Sequence, residues 1–231
     1  MREVIFDTET TGLDPKTGDR MVEIGCVEMV GRVETGRTFH AYFNPERDMP
    51  AEAEKVHGLS AAFLATKPRF AEMADELLAF LGDAPLVAHN AGFDMGFLNN
   101  ELTLCGRAPI DMARMIDTVA IARRKHPGAK LSLDALCTRY GIDRSHRVKH
   151  GALLDAELLA QVYVELTGGR QIGLELVDDT RGSGPGDNAP WHRPAVSRQR
   201  REPRPHAASP EERARWEAFL AAEVKEPLWT R

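Results

Sequence analysis

The strongest constraint on this chain is a change of rhythm along its first 170 residues. Arg2–Thr8, Met21–Val30 and Thr38–Phe43 are runs rich in β-branched, aromatic and other apolar residues, separated by Gly, Pro and Asp. That is the punctuation of short strands. From Pro68 the period lengthens: Phe70, Met73, Leu77, Leu78 and Leu81 fall close to helical spacing before Gly82-Asp83, so 68–81 is expected to be a helix. Leu86-Val87-Ala88 is expected to be a buried strand, Gly92–Cys105 a helix, and Ile116–Ile121 a strand or the start of a helix. Ser132–Tyr140 and Gly151–Leu166 read as two further helices, closed by Gly141 and Gly168-Gly169. A meander followed by alternating strand and helix implies an α/β fold with a mixed sheet flanked by helices.

The pattern stops after Gly169. Residues 178–208 contain five Pro, three Gly and six Arg, with Trp191 and Val196 as the large apolar side chains. Such a stretch buries too little apolar surface to offset its ordering entropy, so 171–208 is expected to be a flexible linker. Ser209-Pro210-Glu211-Glu212 then has the form of a helix start: cap, proline, acids in the first turn. The helix carries Trp216, Phe219 and Leu220, and Leu228-Trp229 follows. A tail of 209–231 this short and this aromatic is expected to dock on a partner.

Cys26, Cys105 and Cys137 form no C-x-x-C pair, so neither a disulfide framework nor a zinc site is signalled. No run approaches the ~18 apolar residues of a membrane helix, and the start Met1-Arg2-Glu3-Val4 lacks a signal-peptide pattern. The expectation is a cytoplasmic protein with no membrane partner. The formal net charge of −5 argues at first sight against nucleic acid, which is held mainly by Lys and Arg.

The chemistry lies in three segments. In Val4-Ile5-Phe6-Asp7-Thr8-Glu9, side chains alternate, so Asp7 and Glu9 share a face with Ile5. In His89-Asn90-Ala91-Gly92-Phe93-Asp94, the acid precedes Phe97 by three and Leu98 by four, on the apolar stripe of a helix. In His150-Gly151-Ala152-Leu153-Leu154-Asp155, the acid precedes Leu158 by three and Val162 by seven. Each has a plain alternative: a strand running into a polar turn, an acid serving a helix dipole, a capping or surface histidine. Three elements that each place acid on an inward face are harder to explain separately. Converging buried carboxylates repel and are desolvated unless cations neutralise them. Oxygen ligands favour Mg²⁺ or Mn²⁺, and four acids can hold two such ions for in-line phosphoryl displacement. A base is then needed, and His150 suits neutral pH.

Asp7-Thr8-Glu9-Thr10-Thr11-Gly12-Leu13, His89 to Asp94 and His150 to Ala156 resemble, in order and spacing, the three motifs of the DEDDh branch of 3′→5′ exonucleases. Within that branch the likeness is greatest to the proofreading subunits of bacterial DNA polymerase III, and it covers about residues 1–170. The resemblance implies a ribonuclease H-like five-stranded mixed sheet. It implies two divalent cations, Mg²⁺ or Mn²⁺, held by Asp7, Glu9, Asp94 and Asp155, with His150 as general base. The sister branch has Tyr four residues before its last Asp; Gly151 stands there. Glu52 and His57-Gly58-Leu59 match a segment that contacts the terminal nucleotide, which places Glu52 at the sugar hydroxyl and His57 near phosphate or sugar. By the same resemblance Asp7, Glu9 and Asp155 are expected to reach the substrate as well. Leu13 and Leu59 are candidate wedges against the terminal bases, with core packing as the alternative.

By the same likeness, Gln171-Ile172-Gly173-Leu174-Glu175-Leu176 resembles a sliding-clamp-binding peptide anchored by Gln171, Leu174 and Leu176. The tail, including Trp229, resembles one that docks on the polymerase III catalytic (alpha) subunit. A small stabilising third core subunit is a further implied partner. The substrate the resemblance implies is a single-stranded or mispaired DNA 3′ end, with 5′-mononucleotides as the expected products. Two other readings stay open: a free-standing nuclease acting on RNA or short oligonucleotides, and an inactive ribonuclease H-like binding module. The linker and tail weigh against the first, and the presence of all four acids and His150 against the second.

Residues 123–150 contain eight basic and two acidic residues and lead directly to His150. Several, including Arg147 and Lys149, are expected to track the DNA backbone; a merely solvated face is the alternative. Residues 1–170 carry 20 basic and 25 acidic residues, and four of those acids are the proposed ligands. The net negative charge therefore does not exclude a nucleic-acid substrate met through bound cations.

Overall fold

Strand β1, Arg2–Thr10, is apolar on both faces over Val4-Ile5-Phe6. A strand covered by helices on both sides has that composition. It pairs antiparallel with β2, Met21–Val30, which pairs antiparallel with β3, Val33–Tyr42. On its other side β1 runs parallel to β4, Leu86–Ala88, and β4 parallel to β5, Met115–Asp117. The sheet order is β3-β2-β1-β4-β5, the mixed five-stranded sheet expected. This structure, a computed structural model, describes residues 1–147, 149–169 and 208–223. The chain divides into two units, Met1–Leu176 and Val177–Arg231.

Between β3 and β4 come α1, Ala51–His57, α2, Ala61–Leu64, and α3, Phe70–Leu81. After β4 come α4, Ala91–Leu104, and, past β5, α5, Thr118–Lys125. The last two helices of the first unit are α6, Leu133–Tyr140, and α7, Ala152–Leu166. Their limits follow local chemistry. The Asp117 carboxylate accepts from Val119 N and Ser132 Oγ from Ala135 N, capping first-turn donors. Gly141 closes α6 at φ 66°, a left-handed conformation that glycine adopts freely. The expected strand-or-helix stretch at 116–121 is both, with the change at Asp117-Thr118.

Two cores result. Val4, Phe6, Ile24, Leu77, Met95 and Leu98 pack on one face of the sheet. Ile5, Val27, Val87, Leu136, Leu159 and Val162 pack on the other. Two expectations needed adjustment. Strand β3 begins at Val33 rather than Thr38, because the hairpin with β2 pairs Val30 with Val33 although Val33–Arg37 is exposed and lacks alternation. Helices α1 and α2 were not foreseen; they are short, and each buries one side chain.

All three cysteines are free, with Cys26 and Cys137 buried and Cys105 half-buried. Among the described residues no helix is long and apolar enough to cross a membrane. In the second unit the described residues form α8, Pro210–Glu223. It starts as expected: Ser209 Oγ accepts from Glu212 N at 3.2 Å, and the Glu212 carboxylate accepts from Ser209 N at 2.8 Å, a reciprocal cap. Gln171, Leu174, Leu176 and Trp229 lie outside the described residues, as does the linker up to residue 207.

Candidate active site

Strand β1 delivers its acids where the sheet ends. Asp7 and Glu9 continue the Ile5 face, toward the side carrying α5, α6 and α7. Helix α4 starts just past the C-terminal end of β4, which is parallel to β1, so Asp94 in its first turn comes to the same end of the sheet. Asn90 makes that turn at φ 68°, a left-handed conformation that Asn tolerates better than most residues. Thr8, on the opposite face from Asp7, donates from Oγ1 to Asp94 Oδ1 at 2.7 Å. Helix α7 supplies Asp155 in its first turn, also buried.

One ligand atom from each of Glu9, His150 and Asp155 lies within 4.8 Å of the others. His150 Nδ1 is 3.3 Å from Asp155 Oδ2. The His150 side chain is about half exposed, at 48%, so it meets both the carboxylates and solvent. Its backbone N–H donates to Val56 O at 3.4 Å, tying the loop before α7 to the end of α1.

The electrostatics reflect this crowding. Burial, and then the charges of Asp94, Glu9 and Asp155, push the Asp7 carboxyl well above the usual carboxylate range. Burial, Glu23 and Asp155 push Glu9 up to about 8. Burial raises Asp94 as well, against the hydrogen bond from Thr8. Acids that resist ionisation because they are buried, and in part because they face one another, are the arrangement a multivalent cation relieves. The donors are carboxylate oxygens with one imidazole, a set suited to hard divalent ions. The residues present therefore fit divalent metal ions.

Beside this cluster lies a cavity of about 430 Å³, lined by the Thr8–Leu13 turn, Glu52, Val56, His57 and Phe93 among others. Its volume is in the range of small-molecule sites. His57 is buried; its Nδ1 accepts Leu59 N–H at 3.0 Å, and its Nε2 has no hydrogen-bond partner among the described residues. With Nδ1 accepting, Nε2 carries the N–H; that atom is buried, and the Thr10 backbone favours the imidazolium against the burial. Burial holds the His57 imidazolium pKa below its ordinary value. Glu52 is exposed, Leu59 half-buried, and Leu13 exposed at 84%, so Leu13 is not a core residue.

The basic stretch is less uniform than expected. Arg123, Arg124, Lys130, Arg139 and Lys149 are exposed. Lys125 Nζ donates to Glu165 O at 2.5 Å and Leu166 O at 3.2 Å, satisfying the C-terminal carbonyls of α7. Arg147 is 9% exposed and turned inward. Its Nε donates to Asp155 Oδ1 at 2.5 Å, Nη2 to Asp155 Oδ2 at 2.6 Å, and Nη1 to Asp134 Oδ1 at 2.8 Å. The expectation of a solvent-facing arginine on the DNA backbone is corrected here: a buried carboxylate outcompetes water for the guanidinium fork. Thr8 and Glu23 were also missed. Glu23 pairs with Glu9 in register across β1 and β2, is buried, and lies 2.7 Å from His40 Nε2. The register would have found it, since opposed residues share a face.

Fold and site together define a nuclease of the exonuclease family, whose model, RNase_T, described as Exonuclease, matches residues 4–163. The chain is 56% identical over 181 residues to the Rickettsia felis protein named DNA polymerase III subunit epsilon, covering 77% of this chain and 79% of the relative. It is 47% identical over 176 residues to the protein of that name from Escherichia coli K12, covering 73% and 72%. The nuclease domain of 3′hExo, a DEDDh family member solved bound to rAMP, superposes with a TM-score of 0.63 at 20% identity, over 72% of this chain and 91% of that one. That likeness supports the fold. The chain belongs to the exonuclease family and, within it, to the group of DNA polymerase III epsilon subunits.

Proposed function

We propose that this chain is the proofreading 3′→5′ exonuclease of a bacterial replicative polymerase, acting on single-stranded or mispaired DNA 3′ ends in the cytoplasm. The observation that carries the mechanism is the convergence of Asp7, Glu9, Asp94 and Asp155 with His150 at one end of the sheet. Asp7, Glu9, Asp94 and Asp155 would hold two divalent ions, Mg²⁺ or Mn²⁺. Such ions supply a more acidic attacking water and stabilise the leaving oxygen.

The chain's own groups do the rest. His150, half exposed beside Asp155, takes the proton from water and returns it to solvent. Through the ions they would hold, the carboxylates would fix the reacting phosphodiester, which they repel on their own, at the end of the sheet. His57 lies near the phosphate or sugar of the terminal nucleotide, and Glu52 accepts from its sugar hydroxyl at the same cavity. Leu13, exposed at the cavity rim, wedges against the terminal bases together with Leu59. A paired end must open for its phosphodiester to reach the carboxylates, which favours unpaired ends.

The tail is the partner-binding device. Helix α8 presents Trp216 and Phe219, each 50% exposed, with ring centroids 5.8 Å apart. Aromatic exposure of this kind suits docking on the polymerase catalytic (alpha) subunit, with Trp229 extending the contact. Gln171, Leu174 and Leu176 bind the sliding clamp, and a small third core subunit stabilises the exonuclease domain.

The test is digestion of a primer-template with a 3′ mispair, the matched primer, the same sequence as RNA, and a circular single strand, each with Mg²⁺, Mn²⁺ or chelator. Metal-dependent trimming from the 3′ end, faster on the mispair and absent on the circle, is expected. Cutting of the circle, or faster trimming of RNA, contradicts the reading. Deleting 209–231 should abolish co-purification with the polymerase while nuclease activity stays; retained co-purification refutes the docking role.

A further inference from the structure

Among the basic side chains from 123 to 150, Arg147 alone is shown inserted among the carboxylates. Its fork takes both oxygens of Asp155 at 2.5 and 2.6 Å. The nitrogen on Asp155 Oδ2, Nη2, is also 2.9 Å from His150 Nδ1. A guanidinium only donates, so His150 Nδ1 is the acceptor. Nη2 therefore stands between two of the three residues whose ligand atoms lie within 4.8 Å of one another. A divalent ion bound there through Asp155, with oxygen ligands at roughly 2.0–2.2 Å, must displace that nitrogen.

Arg147 has somewhere to go. Its third nitrogen, Nη1, donates to Asp134 Oδ1 at 2.8 Å, in the first turn of α6. Asp134 is about half exposed, at 47%, so it can hold the guanidinium at the margin of the site. Arg147 lowers the cost of the Asp7 and Glu9 charges, and its departure removes that relief unless a stronger cation arrives. Only a cation of higher charge makes the exchange favourable.

We propose that Arg147 is a built-in competitor for divalent ions at Asp155, and that its displacement by the ion frees His150 Nδ1. This rests on the two-ion exonuclease reading above and adds to it. Ion loading and release of the base become one event, so water is not activated at a half-filled site. Arg147 is a positioning residue, acting through Asp155 and His150.

The test is Mn²⁺ binding by the full chain, measured by calorimetry on wild type, Arg147→Gln, Arg147→Lys and Asp155→Asn, with melting temperatures in chelator and in saturating Mn²⁺. Arg147→Gln is expected to bind Mn²⁺ on the order of tenfold more tightly, a usual size for coupling through one shared group. Arg147→Lys, which keeps the charge but not the fork, should fall between and covers the case in which the glutamine variant does not fold. Arg147→Gln should melt below wild type in chelator, with the gap closing in Mn²⁺; a merely structural role would leave the gap in place. Equal or weaker Mn²⁺ binding by the folded arginine variants overturns the proposal alone. If wild type binds no Mn²⁺ beyond what Asp155→Asn binds, the two-ion reading fails with it.

Discussion

A Cβ built on Gly25 would lie 2.2 Å from the backbone nitrogen of Leu153. Gly25 is the register partner of Asp7 across β1 and β2, so the start of α7 rests on the sheet beside the first acid, backbone against backbone. That contact sets the height of Asp155 over Asp7.

Gly25→Ala should therefore lift the start of α7. The overpacking costs about 1–3 kcal/mol. A shift of roughly 1 Å in Asp155 is enough to lower kcat about a hundredfold. Denaturant midpoints and single-strand digestion rates together check this; an alanine variant with wild-type kcat would show that α7 is not seated through Gly25.

Asp7→Asn should separate stability from function. Burial and three neighbouring acids disfavour the Asp7 charge, so the amide is expected to raise the melting temperature in chelator by a few degrees. It should also shrink the rise produced by divalent ion, which follows from binding to the folded state. A variant less stable than wild type in chelator would mean that packing or hydrogen bonding at Asp7 outweighs the repulsion.

The acids of the candidate site are legible in the sequence because each breaks a pattern whose period is known: Asp7 and Glu9 a strand alternation, Asp94 and Asp155 a helical stripe. The sheet was legible for the same reason, and β3 was misjudged only where Val33–Arg37 carries no alternation. What could not be read was the direction in which long polar side chains turn. Arg147 and Lys125 belong to a charge run that resembles a solvated face, yet one grips Asp155 and the other the carbonyl end of α7. Both partners lie on a helix that packs back from later in the chain, and a local pattern holds no information about that.

The same limit hid a buried ion pair. Glu101 of α4, 1% exposed, accepts from Arg20 Nε at 2.7 Å, from Arg20 Nη2 at 2.8 Å and from Met21 N at 3.2 Å. Arg20→Ala leaves that carboxylate without its cation and should cost about 3 kcal/mol. The surface pair of Arg107 and Asp75 has a similar bidentate geometry, but solvent screens it. Arg107→Ala should leave the urea midpoint unchanged within error, and equal losses at the two pairs would contradict the assignment.

His89 gives a pH dependence of known sign. Burial holds its imidazolium pKa below the ordinary value, and its Nδ1 sits 2.9 Å from Thr118 Oγ1. The folded state then binds fewer protons at this site than the unfolded chain, whose pKa is about 6.5. The contribution is complete above that pH and is lost as pH falls from there through the lower folded-state pKa. His89→Asn should lose less stability than wild type between about pH 7.5 and pH 5, read from urea midpoints at each pH. Parallel curves would remove His89 from the acid response.

The carboxylates and His150 are proposed to carry out metal-dependent hydrolysis. The most direct test is the rate of 5′-mononucleotide release from a 3′-mispaired primer in saturating Mg²⁺ or Mn²⁺, for wild type, Asp7→Ala and His150→Ala. His150→Ala should be slower by about 10²–10⁴-fold, the usual worth of a general base. Asp7→Ala should release no mononucleotide above the chelator background. Wild-type rates in both variants, or no metal-dependent release by the wild-type chain, would contradict that assignment.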